Sequence, residues 1–228
     1  MNAIEKSSGF PGLRRFSMVQ LLIALAILFF SVPFVEEIEG GDLIVSALLS
    51  VVLLSAVLAV ANRRRNLAVG LLLAVPALAG RWINHLHPHL VPAPVFLFAG
   101  IGLVAFVVFN LLQFVLRASS VDVEVLCASI SAYLMLGLIW TMAYWLVYYL
   151  TPEAFAFNTT GTKQTMEGFN AFYFSLITLS TVGYGDITPV SRVARWLAAM
   201  EAMAGLLYVA VLIARLVSLY SKAKSDDS

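Results

Sequence analysis

Charge is what this sequence has least of. Asp, Glu, Lys and Arg make up only 12% of its 228 residues, about half the share in a soluble domain. The formal net charge is +1, and no basic patch lies outside the short flanks of apolar segments, so nucleic acid is not an expected partner. Cysteine is nearly absent. Cys127 is alone and sits inside an apolar run, which excludes an intrachain disulfide and a cysteine-based metal site and marks it as a small buried hydrophobe. No nucleophile and base pair, metal cluster or phosphate-cradling loop stands out either. Neither an enzyme nor a cofactor is expected.

What the chain has instead is apolar length. Hydrophobic residues make up 61% of it and the mean hydropathy is +0.92, as in an integral membrane protein. A helix needs about 20 apolar residues to cross a bilayer. Six runs reach or approach that length, at 18–35, 43–61, 67–83, 93–116, 122–150 and 192–220. The third is short and carries Pro76. A further run at 168–180 is too short to cross and reads as a re-entrant segment. Lys6, Arg14 and Arg15 precede the first run as in a signal peptide, but the run is long and exits into VPFVEEIEGGD with no small-x-small cleavage site, so it reads as a retained helix. Lys6, Arg14, Arg15, Arg63, Arg64, Arg65, Arg117, Lys222 and Lys224 all fall on one side of such a six-span chain, and Glu36, Glu37, Glu39 and Asp42 on the other. The basic side is the cytoplasmic one. The expectation is a multi-pass protein of the plasma or inner membrane with both termini inside.

Between the fifth and sixth runs lies TMEGFNAFYFSLITLSTVGYGDITPVSR. It reads as a short helix near 167–179, a glycine-punctuated segment, and a proline-marked turn into the last helix. Irregular backbone at membrane depth is tolerated only where protein buries it or where it lines a water-filled path. Gly183 and Gly185 alternate with Val182 and Tyr184, and glycine admits backbone angles that let successive carbonyls point the same way. Four such loops around an axis would stack rings of oxygen that replace the hydration shell of a potassium ion, held at Thr181, Val182, Gly183 and Tyr184, with Thr181 adding its hydroxyl. The short helix would aim its negative C-terminal end at the same axis. One segment cannot enclose an axis, so a homotetramer is expected.

The hexapeptide TVGYGD, with its setting of outer helix, short helix and inner helix over 122–220, resembles the selectivity-filter region of potassium channels. The likeness is to a prokaryotic-like, six-transmembrane member with one pore loop per subunit. The resemblance implies an all-α membrane fold with a tetrameric pore. It implies a division into an N-terminus 1–17, a four-helix domain 18–117, a pore domain 118–221 and a tail 222–228. Asp186 then takes the outer-mouth aspartate position, able to bond back to the short helix. Tyr173 and Phe174 stand where many members place a tryptophan partner for it. Ile177 stands where some place a glutamate. Gly205 falls where many inner helices have a hinge glycine, although close helix packing explains a glycine there equally. Leu206, Val209, Ile213 and Val217 form an apolar stripe at helical spacing; it lines the cavity by resemblance, with packing against the fifth helix as the alternative.

The fourth run, APVFLFAGIGLVAFVVFNLLQFVLR, has no basic residue before Arg117, so the front helices read as an uncharged bundle without the repeated arginines that sense voltage. Arg63, Arg64 and Arg65 are candidates for anionic lipid headgroups, or a topology signal alone. His85, His87 and His89 alternate around Pro88 in an outer loop, a spacing suited to neither one helical face nor the usual zinc pairs, with proton sensing as an alternative. Asn158-Thr159-Thr160 matches a glycosylation acceptor, relevant only in a eukaryotic secretory route. Only SKAKSDDS follows the sixth run, too little for a cytosolic gating domain. A potassium-selective channel is the function expected. A poorly conducting or regulatory subunit, or a component of an uptake system, is the alternative.

Glu201 is the remaining anomaly, a carboxylate inside an apolar span. Such groups face protein or water. It lies one turn before Gly205 and off the apolar stripe. That favours a brace behind the filter, bonded to short-helix groups such as Thr178 or Ser180 of the same or a neighbouring subunit, over a ring of carboxylates in the pathway; a protonated, merely packed side chain is a third reading.

Overall fold

The computed structural model describes residues 11–35, 38–61, 64–87, 90, 92–158 and 164–226, with side chains described from 17 to 219. Lys6, Glu36, Glu37, Arg63, Pro88, His89, Thr159 and Thr160 lie outside the described residues, and of Arg14, Arg15, Lys222 and Lys224 only the helical backbone is described.

Seven helices carry the fold: α1 (Pro11–Val35), α2 (Gly41–Val60), α3 (Arg64–Leu86), α4 (Ala93–Arg117), α5 (Val123–Leu150), the short α6 (Gly168–Leu179) and α7 (Arg192–Asp226). All but α6 are long and apolar enough to cross a membrane. The chain is an all-α, multi-pass membrane protein. Their ends follow from local chemistry. Asp122 caps α5 by accepting from the Val125 N–H at 2.9 Å, satisfying one of the donors that a helix start leaves free. Pro92 and Pro94 mark the start of α4, where a missing N–H costs nothing. The third helix runs unbroken through Pro76 and is longer than its apolar stretch, because polar residues at both ends continue it from Arg64 to Leu86.

A single apolar core joins the front helices to α5. Leu21 and Leu25 of α1, Val52 of α2, Leu103, Val104 and Val107 of α4, and Ala128, Ala132 and Met135 of α5 are all fully buried in it. Five residues, 118–122, connect α4 to α5. Phe29 of α1 meets Phe172 of α6 edge to face at 4.7 Å, extending the core to the short helix.

The bundle is not free of charge. Arg81 sits inside α3, donating from Nε to Ser46 Oγ at 3.1 Å and lying 5.9 Å from the Trp145 ring centroid of α5. The uncharged reading passed over it because a single arginine near the outer end of a span does not break an apolar run. Trp82 donates to Ser50 Oγ at 3.1 Å and Asn66 to Asn110 at 3.0 Å, so polar contacts tie α3 to both of its neighbours.

Two three-residue strands, β1 (Phe155–Phe157) and β2 (Ile187–Pro189), pair antiparallel with Phe155 opposite Pro189 and Phe157 opposite Ile187. The turn expected after the glycine-rich segment is thus a strand. Ala154, Phe155 and Ile187 bury against Tyr144, Met166 and Phe174 in a second, aromatic core.

Candidate functional site

The segment 180–186 hangs between the C-terminal end of α6 and β2. Its backbone alternates. Thr181, Gly183 and Gly185 have φ of 61°, 55° and 78°, with Thr181 alone among the described non-glycine residues in the left-handed region. That conformation is strained for a β-branched residue and persists only where the surroundings impose it. The imposing contacts are visible. The N–H groups of Val182 and Gly183 both turn back to the Ile177 carbonyl, at 2.8 and 3.2 Å, and that of Thr181 to Thr178 at 3.0 Å. The N–H groups of 181–183 are thus spent on α6, and left-handed residues at every second position are the pattern that lets successive carbonyls share one direction. The segment is open: Val182 is 52% and Tyr184 72% exposed. Ile177, at the position where some channels place a glutamate, is buried and serves through its carbonyl.

The far end of the segment is held by the hairpin. Asn158, just after β1, donates its backbone N–H to the Asp186 carbonyl and its side-chain Nδ2 to the Gly185 carbonyl, both at 2.8 Å. The Asn158 amide nitrogen, read from sequence only as a glycan acceptor, is occupied by this bond. The Tyr173 hydroxyl of α6 interacts with the Asp186 carboxylate, while Asp186 Oδ1 is buried with no partner among the described residues.

Behind α6 lies Glu201, fully buried. Its partners are not Thr178 or Ser180. The Tyr144 hydroxyl of α5 donates to Glu201 Oε2, and Ser175 Oγ of α6 lies 2.6 Å from Oε1 and 2.8 Å from the Gly137 carbonyl. Ser175 is one turn earlier on the inward face of α6, whereas the Ser180 hydroxyl is exposed and donates to the Leu176 carbonyl. A proton count fits a neutral carboxyl. Glu201 then donates to Ser175, Ser175 to Gly137 and Tyr144 to Glu201, so that every contact has its proton. One buried group thereby joins three helices of the same chain.

Gly205, the next turn of α7, faces the end of α6. A Cβ there would run into the Leu179 carbonyl oxygen and stand 3.0 Å from its carbon. The packing explanation of this glycine is therefore visible in the structure. The stripe Leu206, Val209, Ile213 and Val217 is exposed and does not pack on α5. Tyr208, Leu212 and Leu216 pack against the core instead, and the Tyr208 hydroxyl donates to the Ser129 carbonyl of α5 at 2.5 Å. Of the six long helices α7 is the least covered by the rest of the chain. Among the described residues no group of three His, Cys, Asp or Glu is placed to hold a metal; His85 and His87 are exposed at the end of α3.

A family model described as ion channel matches residues 130–222, from α5 through α7. The chain is 53% identical over 47 residues to the voltage-gated potassium channel Kch of Escherichia coli, 17% of this chain and 11% of that one. It is 34% identical over 84 residues to two pore potassium channel b of Oryza sativa, covering 37% of this chain and 21% of the relative. It is 46% identical over 48 residues to protein LctB of Bacillus caldotenax, 21% and 35% respectively. The matches thus span at most about a third of the length of these relatives. No solved structure matches the chain.

Proposed function

We propose, from the match of residues 130–222 to a family model described as ion channel, that this chain forms a potassium-selective pore. The relatives named as potassium channels support the choice of ion. The single observation that carries the mechanism is the backbone of the segment, left-handed at Thr181, Gly183 and Gly185 and with the N–H groups of 181–183 spent on α6, which leaves the carbonyls of 181–184 to face the pathway. Four copies, arranged with α7 innermost, bring those carbonyls around one axis. Each ring offers oxygens spaced to replace the water of a dehydrated potassium ion at Thr181, Val182, Gly183 and Tyr184. The exposed apolar stripe of α7 faces the water-filled cavity beneath. The basic ends of α3 and α4, with Arg64, Arg65 and Arg117, face the cytoplasm.

Purified protein in liposomes is expected to pass potassium far faster than sodium and to be blocked by barium. Equal rates for the two ions contradict selectivity. The front helices carry no repeated basic residues, so opening moves less than about one elementary charge per subunit across the field. A conductance–voltage curve in planar bilayers checks this, and a steep curve with several charges moved contradicts it.

Asn158 is a positioning residue for the outer mouth. Asn158→Ala removes the donor at the Gly185 carbonyl and leaves the hairpin's backbone bonds. The lost bond is worth about 0.5–1.5 kcal/mol, so conduction at low external potassium is expected to decline roughly two- to tenfold faster, with unchanged current at high potassium. Recordings at the two potassium levels measure it; identical decline rates would remove Asn158 from this role.

A further inference from the structure

A cavity of about 640 Å³ opens among α1, α2, α3 and α4 at the end of the bundle where α2 stops and α3 starts. Its size is that of a ligand site. Its chemistry is divided. Arg65 and Arg117 line it together with Asn66, Asn110 and Gln113, and among the described residues no carboxylate does. Phe109 and Phe114 supply an apolar part. Two cations with amide donors and no acidic partner select an anion with several acceptor oxygens. The aromatic wall selects one that carries a hydrocarbon part. The polar wall is built, because Asn66 donates to Asn110 Oδ1 at 3.0 Å and Asn110 donates to the Phe106 carbonyl at 2.7 Å, fixing both amides between α3 and α4.

The geometry points to a regulatory site for an anionic glycerophospholipid of the inner leaflet, its phosphate between Arg65 and Arg117 and its first methylenes against the phenylalanines. The site differs from the arginine triplet of the sequence, since Arg64 does not line it and Arg117, from the far end of α4, does. It also reaches the pore half. Ala118 lines the cavity, and its carbonyl accepts from Arg215 Nη2 of α7 at 2.6 Å. An occupant therefore rests on the residue through which the front bundle holds the lower part of the inner helix. Its presence fixes the 118–122 connection and, through Arg215, the position of α7. The binding step stands without the pore reading; the coupling step rests on it.

The test starts with binding. Full-length protein is purified from mixed phosphatidylglycerol and phosphatidylcholine vesicles and its retained lipid measured by mass spectrometry. Wild type is expected to retain phosphatidylglycerol preferentially. Arg65→Gln and Arg117→Gln each lower that preference about fivefold, the worth of one basic residue at an anionic surface, and Arg64→Gln leaves it unchanged. Equal retention of both lipids, or an Arg64→Gln loss as large as that of Arg65→Gln, overturns the site in favour of diffuse surface charge. Displacement of the lipid by soluble glycerol phosphate overturns the lipid assignment and makes the ligand a free phosphate ester. Flux follows. Arg215→Gln is expected to keep the bound lipid while abolishing the difference in potassium flux between anionic and zwitterionic liposomes. A persisting difference overturns the coupling. Since retention is read without ions, a chain that binds the lipid and passes no potassium refutes the pore reading alone.

Discussion

Glu201→Leu is expected to unseat segment 180–186, the proposed filter, whereas Glu201→Gln leaves it nearly as it was. In the leucine variant the fully buried Tyr144 hydroxyl loses its acceptor, and a buried donor left unpaired costs about 1–3 kcal/mol. Ser175 keeps the Gly137 carbonyl, but the tie that joins α5, α6 and α7 at one carboxyl is cut. Glutamine reproduces the proton count of the neutral acid, its amide NH2 donating to Ser175 and its oxygen accepting from Tyr144. Tyr144→Phe falls between, leaving Glu201 one donor short. Thermal unfolding of the purified protein ranks the three variants, and single-channel recording separates their effects. Open probability falls in the order Gln, Phe, Leu while unitary conductance stays that of the wild type, because Glu201 is walled off behind α6. A glutamine variant as damaged as the leucine one refutes the neutral bracing carboxyl. A drop in unitary conductance with unchanged gating favours a carboxylate in the pathway.

Gly205→Ala is expected to lower folding yield and potassium flux together, and Gly205→Val to abolish both. Overpacking a close contact costs typically about 1–3 kcal/mol when side chains can move aside. Here the atom in the way is the backbone carbonyl of Leu179, at the end of the helix that carries the strained Thr181 two residues on. It cannot move without shifting segment 180–186. A hinge glycine makes a different forecast, in which the alanine variant folds with normal thermal stability and only its opening kinetics change. Thermal stability of Gly205→Ala against wild type decides between them.

The spans were legible in the sequence because an apolar run of bilayer length has few other uses, and the helices extend past the runs only where polar residues such as Arg64 and Arg117 continue them. The left-handed backbone at Gly183 and Gly185 was legible for the same kind of reason: alternating glycines specify backbone angles directly. The hairpin was not, since FAF and ITP are too short to show a strand period and pair only because the chain returns to itself around α6. Glu201 was recognised as out of place, but its partners were misassigned. Choosing Ser175 over Thr178 or Ser180 needs the rotation of α6 about its axis, and Tyr144 lies 57 residues away on a helix whose register against α7 no local pattern records. Arg81 and Asn158 were missed for opposite reasons, one hidden in an apolar run and the other absorbed into a glycosylation motif.

The central claim is that the carbonyls of 181–184 select potassium. Its most direct test is the reversal potential of the purified wild-type chain in a planar bilayer with potassium on one side and an equal concentration of sodium on the other. A reversal far from zero, on the side set by potassium alone, is the result predicted; a reversal at zero contradicts it.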